Sequence, residues 1–118
     1  MAGPVVNVIQ YSPMGYAVEW SCLPASSEGQ QAIAARHESG GRLPRVPTRI
    51  DTWNSLPARE YHEGAAGLFI RSAALRFARA IAAEFDAGLK AAKLKERTTV
   101  RVDVKTPFSY WGPGGGLP

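Results

Sequence analysis

The chain has 118 residues, long enough for one hydrophobic core that buries roughly two-thirds of the surface its unfolded form exposes. Its 45% apolar and 20% charged content excludes a disordered chain, and nothing in it requires a metal or disulfide to hold a fold together. The net charge of +4 is uneven, with all 14 basic residues after position 35, which steers acidic partners without the charge density of a dedicated nucleic-acid protein.

The start, Met1-Ala2-Gly3-Pro4, lacks the basic and apolar regions of a secretory signal. Residues 5–11 are β-branched and aromatic, and residues 16–22 alternate, placing Tyr16, Val18, Trp20 and Cys22 on one face. Ser12-Pro13-Met14-Gly15 between them reads as a type I turn, with Pro second and Gly fourth, so the two runs form a hairpin. Cys22 is the single cysteine, which excludes an intrachain disulfide and suits a reducing compartment. The expected location is the cytoplasm, or a virion assembled there.

Ser27 and Gln30 have capping-box spacing and open a short helix over residues 27–38, which Gly40-Gly41 stops. Pro44 and Pro47 keep the next segment extended, and residues 49–53 read as a short edge strand. The strongest periodicity predicts one long helix over about 64–96. Its apolar stripe is Ile70, Ala74, Phe77, Ala78, Ile81, Phe85, Gly88 and Ala92, with Arg76, Arg79, Lys90, Lys93 and Arg97 opposite. Gly88 marks a bend or a close contact. Arg71, Arg76 and Arg79 interrupt the most hydrophobic stretch, so no run reaches membrane-spanning length and no membrane partner is expected. Residues 98–105 read as a last strand with Val100, Val102 and Val104 facing inward.

These elements predict an α+β fold in the order β-β-α-β-α-β: a three- to four-stranded antiparallel sheet, the long helix on one face, and one short helix. Residues 1–106 form the single domain. Residues 107–118 form a Gly/Pro-rich C-terminal arm carrying Phe108, Tyr110 and Trp111, aromatics of the kind that anchor a partner surface.

Several groupings bear on chemistry. Arg36, Arg42, Arg45 and Arg49 lie within fourteen residues with only Glu38 as a counter-charge, and guanidinium groups on such a loop fork onto phosphates or carboxylates. The basic side of the long helix offers electrostatic, salt-sensitive contacts but no interleaved aromatic for base stacking. His37-Glu38 and His62-Glu63 repeat a dipeptide. Neither has the second histidine four residues on that zincin chemistry needs, so no metal site is expected. There is no P-loop or Gly-x-Gly-x-x-Gly run, and no cofactor is expected.

The run Ala34-Ala35-Arg36-His37-Glu38-Ser39-Gly40-Gly41, with Gly64-Ala65-Ala66-Gly67-Leu68-Phe69 downstream, resembles the lytic transglycosylase family. The resemblance covers about fifteen residues and implies Glu38 as a general acid, a role that requires a raised pKa in an apolar cleft. Ile70 stands where that family has glutamine, and a strand follows in place of its later helices.

The reading these features favour is a non-enzymatic protein-protein interaction or assembly subunit, for example a neck or tail component of a bacteriophage virion. Its contact residues would be Arg36, Arg42, Arg45, Arg49, Phe108, Tyr110 and Trp111, and its partners another protein or copies of itself. One alternative is a nucleic-acid-binding protein using the arginine loop and the basic helix side. The second is a muramidase built on Glu38.

Overall fold

The β-branched residues of the first twenty positions build a hairpin in the computed structural model, which describes residues 3–48, 50–52 and 60–105. The hairpin strands are β1 (Val5–Ser12) and β2 (Gly15–Ser21), followed by α1 (Ser27–Glu38), β3 (Glu63–Leu68), α2 (Arg71–Ala91) and β4 (Thr99–Val104). The class is α+β, in the expected order. The strands form one sheet in the order β3-β2-β1-β4. Of the short strand expected at 49–53, Thr52 makes an isolated bridge to Leu68, while Arg49 and Trp53 lie outside the described residues.

The sheet is mixed rather than antiparallel. β2 pairs antiparallel with β1 (Val18 opposite Val8) and with β3 (Trp20 opposite Gly64), but β4 pairs parallel with β1, Val102 beside Val8. The reason lies in the connection. β3 and β4 occupy opposite edges and run the same way, and α2 is the crossover that parallel strands require. Hydrophobic periodicity carries no information on strand direction, so this was not readable from the alternation of residues 98–105.

The long helix spans Arg71–Ala91 rather than 64–96, because Gly64-Ala65-Ala66-Gly67-Leu68 is strand β3. These small residues have weak strand propensity, yet they fit: a side-chain carbon at Gly64 would overlap the Trp20 ring. Trp20 fills the space instead, packing edge to face on Phe77 and donating its indole N–H to the Glu60 carbonyl at 3.0 Å. At the other end α2 closes in a Schellman turn. Lys93 N–H reaches Lys90 O, Leu94 N–H reaches Leu89 O, and Lys93 itself has φ +60°.

The core lies between one sheet face and the helices. Val6, Val8, Tyr16, Val18 and Trp20 meet Phe77, Ile81 and Phe85, all buried. The predicted stripe is present from Ala74 to Gly88, but its ends are not: Ile70 and Ala92 are exposed, and Ala73, Ala82 and Leu89 are buried in their place. Gly88 is the close contact anticipated for it, since a side-chain carbon there would sit 3.1 Å from Arg36 Cβ on α1. β4 departs from expectation too. Val100 is partly buried, but Val102 is 44% and Val104 50% exposed, because α2 packs mainly across β1 and β2 and leaves this edge uncovered. Neither described helix is long and apolar enough to cross a membrane.

Candidate interaction surface

α1 begins at an N-cap. Ser26, rather than the expected Ser27, accepts the Gly29 N–H at 3.0 Å, and its own N–H and hydroxyl donate to the two carboxylate oxygens of Glu96. Those hydrogen bonds hold the Glu96 carboxyl below the usual carboxylate range. α1 ends in a second Schellman turn, with Gly40 at φ +105°, its N–H on His37 O and the Gly41 N–H on Arg36 O. Arg36, in the last turn of α1, donates through Nε and Nη2 to Glu84 of α2 at 2.9 and 3.2 Å. The Tyr61 hydroxyl donates to the same carboxylate at 2.5 Å.

The two histidines, far apart in sequence, converge on Tyr61. His37 lies 4.5 Å from it and His62 5.9 Å, centroid to centroid, with 6.3 Å between the imidazoles. This grouping looks like chemistry but is committed to structure. Glu84 is held ionised below the usual range, chiefly by the Arg36 hydrogen bonds, so it makes a poor general acid. Burial, reinforced by Glu84, pushes the Tyr61 phenol far up, so it supplies no phenolate near neutrality. Among the described residues no group of three or more His, Cys, Asp or Glu side chains is arranged to hold a metal ion. Cys22 is buried and its thiol is pushed up, first by that burial, which leaves little thiolate.

Of the sequence-derived contact residues, Arg36, Arg42 and Arg45 are among those described. Arg36 is spent on Glu84, whereas Arg42 and Arg45 are exposed, Arg42 donating to the neighbouring Gly41 carbonyl. Arg49, Phe108, Tyr110 and Trp111 lie outside the described residues, as does the arm at 107–118. Glu38 is exposed at the end of α1, where no apolar cleft encloses it. On α2 and just beyond, Arg76, Arg79, Lys90, Lys93 and Arg97 are all exposed.

A second surface among the described residues was not singled out by the sequence patterns. The sheet face opposite the helices forms an open concavity of about 920 Å³, with Val5, Asn7, Glu19, His62, Ala65 and Arg101 among its lining. Its carboxylates are Glu19, Glu60 and Glu63, its cation is Arg101, and half-buried Tyr11 has its phenol raised by burial and then by Glu19. At one border runs β4. Among the described residues nothing pairs with its outer edge, while Thr52 and Asp51 reach β3 at the opposite edge. The signal lay in Val100-Arg101-Val102-Asp103-Val104, where the same alternation that suggests an inward face also describes an exposed edge.

No protein-family model, curated protein or solved structure matches this chain.

Proposed function

We propose that this protein is a non-enzymatic assembly subunit, contacting copies of itself or another protein through the open sheet face and the β4 edge. The observation that carries the reading is that α2 covers one sheet face and α1 packs on α2, leaving the other face as an open concavity beside an edge strand with two exposed valines. Unpaired strand edges and exposed apolar side chains along them are features that soluble domains suppress unless they use them. The side chains that most resemble a catalytic group support the same reading, because Arg36, Tyr61 and Glu84 bind one another. Residence in the cytoplasm, or in a virion assembled there, belongs to this proposal and is supported by the single buried thiol of Cys22. Light scattering of the full chain over a concentration series tests it. A mass that climbs above the 12.7 kDa of one chain is expected, and single-chain mass at every concentration overturns assembly from copies of itself.

The exposed cations Arg76, Arg79, Lys90, Lys93 and Arg97 favour a second reading, nucleic-acid binding. It requires an affinity for duplex or single strand that falls steeply with added salt. Absence of any shift at low salt removes it.

A further inference from the structure

β4 reads Thr99-Val100-Arg101-Val102-Asp103-Val104, a strand with valine at every second position and opposite charges on either side of Val102. Its backbone direction follows from its ladder with β1. Thr99 N–H donates to Pro4 O and Lys105 N–H to Gln10 O, so the odd-numbered residues turn their N–H and C=O groups inward to β1. Those of Val100, Val102 and Val104 therefore face the outer edge, with which none of the described residues pairs. The side chains are sorted as well. Val100 and Val102 lie beside buried Val6 and Val8 and so share the helix-bearing face, and Val104 continues that row, while Arg101 and Asp103 project from the opposite, open face.

We infer that β4 is a self-pairing edge: two copies of the chain join antiparallel through it, about a twofold axis at Val102, into one eight-stranded sheet. This deepens the assembly reading and rests on it. The register follows from charge. A dyad at Val102 sets Arg101 of each copy opposite Asp103 of the other, twice, with Val100 opposite Val104 and Val102 opposite itself. A dyad at Arg101 or Asp103 puts like charges face to face, and one at Val104 or Val100 shortens the overlap.

Backbone chemistry agrees with the charges. All three valines present outward N–H and C=O groups, so the valine rungs are the hydrogen-bonded ones and supply roughly six backbone hydrogen bonds. The Arg–Asp rungs are then the non-hydrogen-bonded pairs, in which side chains stand closest, about 4.5 Å between Cα atoms. Pairing also brings Val102 and Val104, exposed in the single chain, against the valines of the second copy. A heterologous strand would satisfy the same backbone groups, but would have no reason to match the mirrored charges.

The test is light scattering of the full chain for the wild type, Arg101→Asp, Asp103→Arg and the double exchange, with circular dichroism to verify folding. Both side chains are exposed on the edge strand, so the exchanges leave the core untouched. The wild type is expected to reach twice 12.7 kDa. Each single reversal, which sets like charges opposite twice, weakens the dimer by at least about tenfold, and the double exchange restores it. Single-chain mass for the wild type overturns this inference together with assembly from copies of the chain. An oligomer equally strong in all four proteins overturns the β4 edge alone, and a double exchange as weak as the singles overturns the register. Independently of the charges, Val102→Cys is expected to form a disulfide-linked dimer on oxidation, because paired Cα atoms in such a rung lie about 5.5 Å apart. Val104→Cys is expected to form none. Cross-linking through Val104→Cys, or through neither, overturns the dyad at Val102.

Discussion

Two helix ends in this chain solve one problem with different residues. α1 and α2 both close in Schellman turns that require a left-handed residue after the cap; Gly40 fills it in α1 at φ +105°, Lys93 in α2 at φ +60°. A side chain in that conformation costs about 1–2 kcal/mol, a strain glycine does not carry. Lys93→Gly is therefore expected to stabilise the fold by about 1 kcal/mol, offset in part by the greater freedom of glycine in the unfolded chain, and urea denaturation checks it. The opposite holds at Gly64. Trp20 occupies the volume a β-carbon would need, and its ring is fixed by Phe77 and by its bond to Glu60 O. Gly64→Ala is expected to cost about 1–3 kcal/mol and to alter the fluorescence of the buried indole. Small residues in β3 are thus a packing requirement, although they resemble helix formers when read alone.

At the scale of elements, α1 is the piece whose placement depends most on polar contacts. Its exposed side carries no wide apolar stripe, and among the described residues it is attached by buried Ile33 and Ala32, by Ser26 to Glu96, and by Arg36 to Glu84. The Arg36 side chain is 41% exposed and that of Glu84 14%, so solvent weakens the pair without abolishing it. Glu84→Gln is expected to destabilise the protein by about 1 kcal/mol at neutral pH. The pH dependence follows in sign. Glu84 and Glu96 both have carboxyls held below their ordinary values, Glu84 chiefly by Arg36 and Glu96 chiefly by the Ser26 hydroxyl. Their contribution is complete above the unfolded carboxylate value of about 4.3 and is lost as pH falls through the lower folded values. Stability measured by denaturant at pH 7 and near pH 3 is expected to fall less for Glu84→Gln than for the wild type, and equal losses contradict this account.

At the scale of the whole molecule, the crossover through α2 determines which surfaces remain free. It carries the chain from one sheet edge to the other, so β4 arrives parallel to β1 and last, with Val102 and Val104 outside the cover of the helix. The consequence is an open face lined by Arg101, an outer edge that no described residue pairs, and, on the helix-bearing side of that edge, exposed Val102 and Val104. If copies pair there, amide hydrogen exchange is expected to report it by position. The Val102 and Val104 N–H groups gain protection as protein concentration rises, while those of Arg101 and Asp103, directed at β1, change little. Uniform or absent protection across β4 contradicts pairing at this edge.

Much of the fold is legible in the residues themselves because it is local. The hairpin, with its buried face of Tyr16, Val18, Trp20 and Cys22, follows from alternation and the Pro-Met-Gly turn. The helix span 27–38 and the stripe from Ala74 to Gly88 follow from caps and period. What needed the tertiary structure depends on neighbours remote in sequence. Gly64–Leu68 is a strand because Trp20 and β2 receive it, β4 is parallel because a helix crosses the sheet before it, and Val102 is exposed because α2 packs elsewhere. The same holds for the candidate surface: the charges flanking Val102 can be read in the chain, but only the sheet order places them on an edge that no described residue pairs. A period of two or 3.6 states which side chains share a face; whether anything covers that face is settled by parts of the chain far away.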